Sequence, residues 1–284
     1  MAIQKFLFLR FPEGRSKALT FSYDDDVRQD ARLIEILNKH NMKGTFNLNS
    51  GLYAKEGKVY PEENIRMTRT QFDELFADGR HEVAVHSYSH PFLETLPPAM
   101  VAYEIIKDRE ALENQFGTIV RGMAYPMGTF SDEVVDVLKS CGILYARTTK
   151  TTEKFDIPTD WLRLPATCHH KNPRLMELAK TFVEKKVTYW PQLFYVWGHS
   201  YEFDNDNNWN VIEEFTEYMG GKEDTIWYAT NIEIFEYIED YKRLIFSVDG
   251  TMVKNPTGRE LWFSLNGTIY SIKPNEQLTL DIGK

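Results

Sequence analysis

Hydrophobic positions along the chain follow two periods, one typical of buried strands and the other of amphipathic helices. Runs such as Glu82–Val85 and residues 193–197 are short, mostly apolar and rich in β-branched or aromatic residues, as buried strands are. Between such runs, residues 31–40 and 132–141 carry apolar side chains at helical spacing. Strands that alternate with helices predict a mostly parallel sheet or barrel.

Local signals delimit several of these elements. Thr68 followed by Gln71 predicts a capping box at a helix start, and Pro98 is well placed to open a helix to about residue 116. Residues 161–164 are predicted to be extended after a polar loop at 148–159. These signals place helix starts and loops between the predicted strands.

Beyond residue 243 the pattern changes to short β-like runs separated by turn dipeptides. Asn266-Gly267 between two such runs is a strong hairpin signal. We therefore predict two domains, a catalytic barrel over residues 1–243 and a small antiparallel β extension over residues 244–284.

Composition and charge narrow the function. A net charge of -9 argues against nucleic acid or an anionic membrane surface as the main partner. The two cysteines form no metal-binding or redox spacing. No signal peptide is evident, and no stretch approaches the roughly 20 apolar residues of a membrane span. We expect a cytoplasmic protein, and the sequence does not indicate an oligomeric state.

Candidate chemistry is concentrated just after predicted strands. Asp24, Asp25 and Asp26 follow the first strong strand, and His86 and His90 follow another. Three adjacent carboxylates repel one another unless water or a cation neutralises them. Alone they would indicate a solvated turn, but two histidines four residues apart in a similar position favour a metal site. In α/β barrels, the strand ends form the active-site rim.

The ordered set of motifs resembles the polysaccharide deacetylase family, which is carbohydrate esterase family four. The resemblance covers residues 18–200 and implies a distorted (β/α)7 barrel. Its five motifs correspond, in chain order, to Ser22-Tyr23-Asp24-Asp25-Asp26, His86-Ser87-Tyr88-Ser89-His90, Ala124-Tyr125-Pro126-Met127-Gly128, Asp160-Trp161 and Tyr195-Val196-Trp197-Gly198-His199.

The resemblance implies a metal-dependent deacetylase that acts on N- or O-acetyl groups of a carbohydrate. It makes Asp24 the general base, His199 the general acid and the Met127 backbone N–H the oxyanion donor. The implied metal ligands are Asp25, His86 and His90. A divalent ion is expected, foremost Zn, with Co, Ni and Mn as alternatives.

Two positions depart from the family pattern. Asp26 replaces a turn glycine, and Asp is among the few residues that tolerate positive φ. Ala124 replaces the arginine that normally holds the base. We predict that Arg163 orients Asp24 instead, with Arg147 as the alternative.

Other polar and aromatic residues lie near these motifs. We predict that Tyr125, Trp161, Trp197 and Asp26 contact the substrate, because sugars stack on aromatic faces and carboxylates bond hydroxyls. The pair His169-His170 could line the cleft or bind a second metal, but a polar loop with one packed histidine is the favoured interpretation. Glu202 and Asp204 could orient His199, although we interpret them as part of a solvated loop.

Two further functions stay open. A cytoplasmic hydrolase of small cyclic amides or ureides would use the same metal site on another substrate. The departures at Asp26 and Ala124 motivate the other alternative, a non-catalytic carbohydrate-binding protein.

Overall fold

The computed structural model describes residues 6–60 and 66–281. The first five residues, on which the expectation of no signal peptide partly rests, lie outside this part. Residues 64 and 65, which precede the helix start predicted at Thr68, also lie outside it. The strands are β1 (Leu7–Arg10), β2 (Lys17–Asp24), β3 (Thr45–Leu48), β4 (Glu82–Val85), β5 (Gly122–Ala124), β6 (Tyr145–Thr151), β7 (Leu164–Ala166), β8 (Cys168–His169), β9 (Gln192–Gly198), β10 (Ile226–Tyr228), β11 (Ile245–Phe246), β12 (Met252–Lys254), β13 (Leu261–Leu265), β14 (Thr268–Ile272) and β15 (Gln277–Thr279). The helices are α1 (Gln29–Lys39), α2 (Arg69–Leu75), α3 (Pro98–Phe116), α4 (Asp132–Ser140), α5 (Leu175–Glu184), α6 (Tyr201–Asn205), α7 (Asn210–Met219) and α8 (Asn231–Lys242).

A parallel sheet forms the centre of the molecule. Its strands run in the order β7, β6, β5, β4, β3, β2, β9 and β8, and β10 is added beside the first half of β2. Only Thr167 separates β7 from β8, and its N–H donates to Tyr195 O on β9 (2.9 Å). Strands β7 and β8 therefore act as one broken strand that closes the sheet, which confirms the predicted distorted (β/α)7 barrel.

Alternation along β2 divides its side chains between two environments. Phe21 and Tyr23 face outward, where Phe21 packs edge-on against Phe215 of α7 at 6.0 Å between ring centroids. Ser22 and Asp24 face inward, and Asn47 Nδ2 donates to both of them (2.9 and 2.8 Å). Because side chains on a strand alternate with period two, the last residue of β2 delivers its carboxylate into the barrel.

The C-terminal strands form two small antiparallel sheets, as predicted. Strand β13 pairs with β14 through a turn at Asn266 (φ 51°) and Gly267 (φ 89°), the positive angles of a type I′ hairpin. Strand β13 also pairs with β1, which precedes the barrel in the chain. The second sheet has the order β11, β12 and β15. The domain boundary at residue 243 stays a prediction, although β1 belongs to the sheet of the extension.

Several local predictions can be compared directly with the structure. Thr68 and Gln71 form the predicted capping box, and α3 spans Pro98–Phe116. The prediction of an extended segment at 161–164 is wrong, because Trp161–Arg163 forms a single 3-10 turn capped by Asp160. Strand β6 also continues to Thr151, into the predicted polar loop. Its last three residues are exposed, so polar side chains are accommodated in this part of the strand. No helix among the described residues is long and apolar enough to cross a membrane.

Candidate metal centre and catalytic site

The residues of the candidate site leave their strands in unusual backbone conformations. Positive φ angles occur at Asp25 (83°), Asp26 (47°), Ser87 (65°), His90 (56°) and Met127 (57°). Such angles are uncommon outside glycine and cost about 1–3 kcal/mol each. Their concentration on the loops after β2, β4 and β5 indicates a site whose geometry the surrounding structure enforces.

Three donor atoms converge after β2 and β4. Asp25 Oδ1 lies 3.7 Å from His86 Nε2 and 3.4 Å from His90 Nε2. The two Nε2 atoms are 3.2 Å apart. Two ligands at about 2.0–2.1 Å from a tetrahedral zinc ion are separated by about 3.3–3.4 Å. The spacing of these three groups therefore fits a transition-metal ion with further coordination positions left open.

The protonation of the histidines also suits a metal. His86 Nδ1 donates to the carbonyl oxygen of Ala124 (2.8 Å), which leaves the Nε2 lone pair directed at the site. Burial, followed by the neighbouring His86 ring, lowers the pKa of His90 to about 4. A neutral imidazole is the form that binds a metal.

Asp24 lies beside this group but is bound by other partners. Its Oδ2 accepts a hydrogen bond from Arg147 Nη2, and its Oδ1 accepts one from Asn47. Burial raises the pKa of Asp24, but the charge of Arg147, helped by His86 and His199, outweighs it and lowers the pKa to about 2. Asp24 is therefore an anion that Arg147 and Asn47 hold in place.

The prediction that Arg163 orients Asp24 is wrong. Arg163 follows the turn at Trp161 and pairs with Asp160 and Asp132 near the surface. Arg147, the alternative, lies on the inward face of β6, and only 1% of its side chain is exposed. Its guanidinium stacks on the Trp197 ring at 4.5 Å. The arginine missing at Ala124 is thus supplied by the adjacent strand.

Two further predicted site residues follow the ends of other strands. His199 follows β9, and its Nε2 is 3.9 Å from Asp24 Oδ2 and 3.8 Å from Asp25 Oδ2. Burial lowers the pKa of His199, but Glu202 and the two aspartates outweigh it and raise the pKa. Met127 lies on the loop after β5 with about half of its surface exposed. Its role as an oxyanion donor stays a prediction.

Two of the four predicted substrate contacts, Asp26 and Tyr125, are contradicted by their surroundings. The Asp26 side chain is fully buried and pairs with Arg66 at 2.6 Å. Tyr125 is buried against Phe130. Trp161 is buried and packs edge-on against Phe235 of α8. Each of these three side chains already contacts another side chain of the protein. Contact between substrate and Trp161 (9% exposed) or Trp197 (8% exposed) stays a prediction.

Two residues outside the predicted site also shape it. Asn47 was not singled out, although alternation from Thr45 along β3 would have placed it on the inward face. Glu202 was interpreted as part of a solvated loop. In the structure its carboxylate contacts His199 Nδ1 at 3.3 Å and His169 Nε2 at 3.1 Å.

Comparison with known proteins agrees with this geometry. Residues 12–146 match the polysaccharide deacetylase family. This stretch contains the first three motifs, and the match confirms the family resemblance that those motifs predict.

Individual relatives are more distant. The uncharacterized protein YlxY of Bacillus subtilis (strain 168) is 29% identical over 106 residues, which cover 37% of this chain and 29% of YlxY. A protein of Mycobacterium smegmatis is 16% identical to this chain, and its crystal structure superposes with a TM-score of 0.56. Its name describes it as a polysaccharide deacetylase. That match covers 83% of this chain and 94% of the other, and it shows the fold. BA3943 of Bacillus anthracis, described as a family-four pseudoenzyme, is 20% identical over 80% of this chain and 68% of its own, with a TM-score of 0.48.

Proposed function

We propose that this chain is a metal-dependent deacetylase that hydrolyses N- or O-acetyl groups on a carbohydrate. One observation carries the proposal. The donor atoms of Asp25, His86 and His90 lie 3.2–3.7 Å apart, while a second carboxylate, Asp24, is held beside them by Arg147. A site for a Lewis acid next to a separately held base is what hydrolysis of an acyl group requires.

Each side chain then has a separate task. Asp25, His86 and His90 would hold a divalent ion, which would supply Lewis acidity. Asp24 accepts the proton of the attacking water, since Arg147 and Asn47 hold its carboxylate in one orientation. The Met127 backbone N–H donates to the developing oxyanion. His199 protonates the leaving alkoxide or amine from Nε2.

Two compensations favour catalysis over the non-catalytic alternative. Asp26 adopts φ 47° and is neutralised by Arg66, so the exchange of glycine for aspartate is accommodated without a free charge in the site. Arg147 replaces the arginine that is absent at Ala124, because it pairs with the Asp24 carboxylate. Neither departure leaves the base unsupported.

Metal analysis of purified variants tests the ligand set. Asp25→Ala and His86→Ala should lose bound divalent metal and activity together. Asp24→Asn should keep the metal and lose turnover, because it removes only the proton acceptor. His40→Ala, a histidine outside the cluster, serves as the matched control. Full metal content in the Asp25 and His86 variants would refute the assignment.

A substrate panel tests the chemistry. Acetate should be released from acetylated oligosaccharides, and supplying Zn, Co, Ni or Mn to metal-stripped protein identifies the working ion. Ring opening of small cyclic amides without acetate release would favour the alternative hydrolase. A metal-loaded protein that turns over neither class would contradict the proposed activity.

A further inference from the structure

A cluster of side chains lies behind His199, on the side away from the aspartates. Glu202, in the first turn of α6, directs its Oε2 towards His199 Nδ1 (3.3 Å), His169 Nε2 (3.1 Å) and His170 Nε2 (3.5 Å). Lys171 Nζ contacts the other oxygen, Oε1, at 3.0 Å. This carboxylate is therefore the centre of a group of potential cations and hydrogen-bond donors.

The hydrogen bonds of His169 argue against a second metal in this cluster. The backbone N–H of Lys171 donates to His169 Nδ1 (3.1 Å), so Nδ1 is an acceptor and the ring is neutral with its proton on Nε2. That Nε2–H faces Glu202 and is not free to bind a cation. The ammonium of Lys171 already balances the carboxylate charge.

The contacts between Glu202 and His199 define a single orientation of the His199 ring. Glu202 Oε2 accepts from the backbone N–H of His199 (3.2 Å) as well as facing its Nδ1. With the proton of Nδ1 directed at Glu202, Nε2 is turned towards Asp24 and Asp25. A carboxylate that fixes one nitrogen of an imidazole sets the tautomer and aim of the other.

We propose that Glu202 is the positioning residue for His199, and that it keeps the proton-donating Nε2 aimed at the leaving group. This inference rests on the proposed function, in which His199 is the general acid. It gives the first turn of α6 a role that the sequence raised for Glu202 but did not favour.

The surroundings keep Glu202 charged. Burial raises the pKa of Glu202, but hydrogen bonds from His169, His199 and Lys171 outweigh it and lower the pKa. Asp206 Oδ2 holds Lys171 Nζ from the other side at 2.8 Å. An anionic carboxylate accepts hydrogen bonds from His199 and so holds the ring in place.

Dependence on the leaving group separates a positioning role from a merely structural one. In Glu202→Gln, kcat for an acetylated saccharide, whose leaving group needs a proton, should fall roughly 100-fold. With 4-nitrophenyl acetate, whose leaving group departs without protonation, kcat should fall less than about 3-fold. KM and metal content should change little. Asp206→Asn, which also loses a partner of Lys171 but does not contact His199, is the matched control.

Equal losses on both substrates, or none on either, would overturn the inference. The nitrogen NMR signals of His199, assigned with His199→Gln, provide a readout that needs no turnover. In alkaline buffer, Nδ1 of the wild-type ring should carry the proton, and Glu202→Gln should shift the proton towards Nε2. A wild-type ring protonated at Nε2 would also refute the inference. A wild type inactive on both substrates but protonated at Nδ1 would count against the proposed activity alone.

Discussion

The ion pair between Arg147 and Asp24 should be indispensable, because both partners are buried. Only 1% of the Arg147 side chain and 3% of the Asp24 side chain are exposed. A pKa lowered from 3.8 to about 2 corresponds to about 2 kcal/mol of net stabilisation of the charged carboxylate. Arg147→Met removes the attraction that outweighs desolvation and leaves the buried carboxylate without its main partner, so we expect a loss of about 3–5 kcal/mol in the free energy of unfolding.

Arg163→Met is the matched control. Its side chain is 35% exposed and its partners, Asp132 and Asp160, are 93% and 52% exposed. Such surface pairs contribute about 0–1 kcal/mol. Urea unfolding at pH 7, followed by circular dichroism with a chelator present, compares the two variants in the absence of metal.

The double variant Arg147→Met with Asp24→Asn tests the cause of the loss. If an uncompensated buried charge is responsible, neutralising Asp24 should restore at least about 1–2 kcal/mol relative to Arg147→Met alone. A loss below about 1 kcal/mol in Arg147→Met, or no recovery in the double variant, would refute the reasoning.

Three further predictions concern stability. Burial raises the pKa of the Glu82 carboxyl from 4.5 to about 7. The stability that protonated Glu82 contributes is complete below about pH 4.5 and is lost as the pH rises through about 7. As the pH rises from about 4.5 to about 7, the free energy of unfolding of wild type should therefore fall by up to about 3 kcal/mol relative to that of Glu82→Gln. If urea unfolding shows a difference between the two proteins that does not change with pH, this expectation is wrong. Gly122→Ala would place a Cβ 2.1 Å from the Tyr145 hydroxyl oxygen, so we expect a loss of about 1–3 kcal/mol in urea unfolding. Gly258→Ala, which meets nothing within 4 Å, should stay within about 0.5 kcal/mol of wild type, and equal losses would exclude the steric cause. Thr68→Ala removes the α2 cap and should lower the thermal midpoint by an amount equivalent to about 1 kcal/mol, whereas an unchanged midpoint would show that the cap is dispensable.

The alternation of strands and helices was readable because it reflects local rules. Periodicity of apolar side chains, the cap at Thr68 and the Asn266-Gly267 turn each depend on neighbours within a few residues. The short strand β1 was missed because its pairing with β13 spans nearly the whole chain. No local signal reports such a partner.

The sequence by itself determined which residue types stand at the strand ends, and so it identified Asp24, Asp25, His86, His90 and His199 as candidates. Their spacing within motifs is a local property. Which arginine holds the Asp24 carboxylate was decided only in three dimensions, where β6 turns Arg147 inward and Arg163 pairs with Asp160 in a surface turn. The tertiary structure likewise decided the surroundings of Glu202, because burial and approach between distant segments depend on packing that no linear pattern encodes.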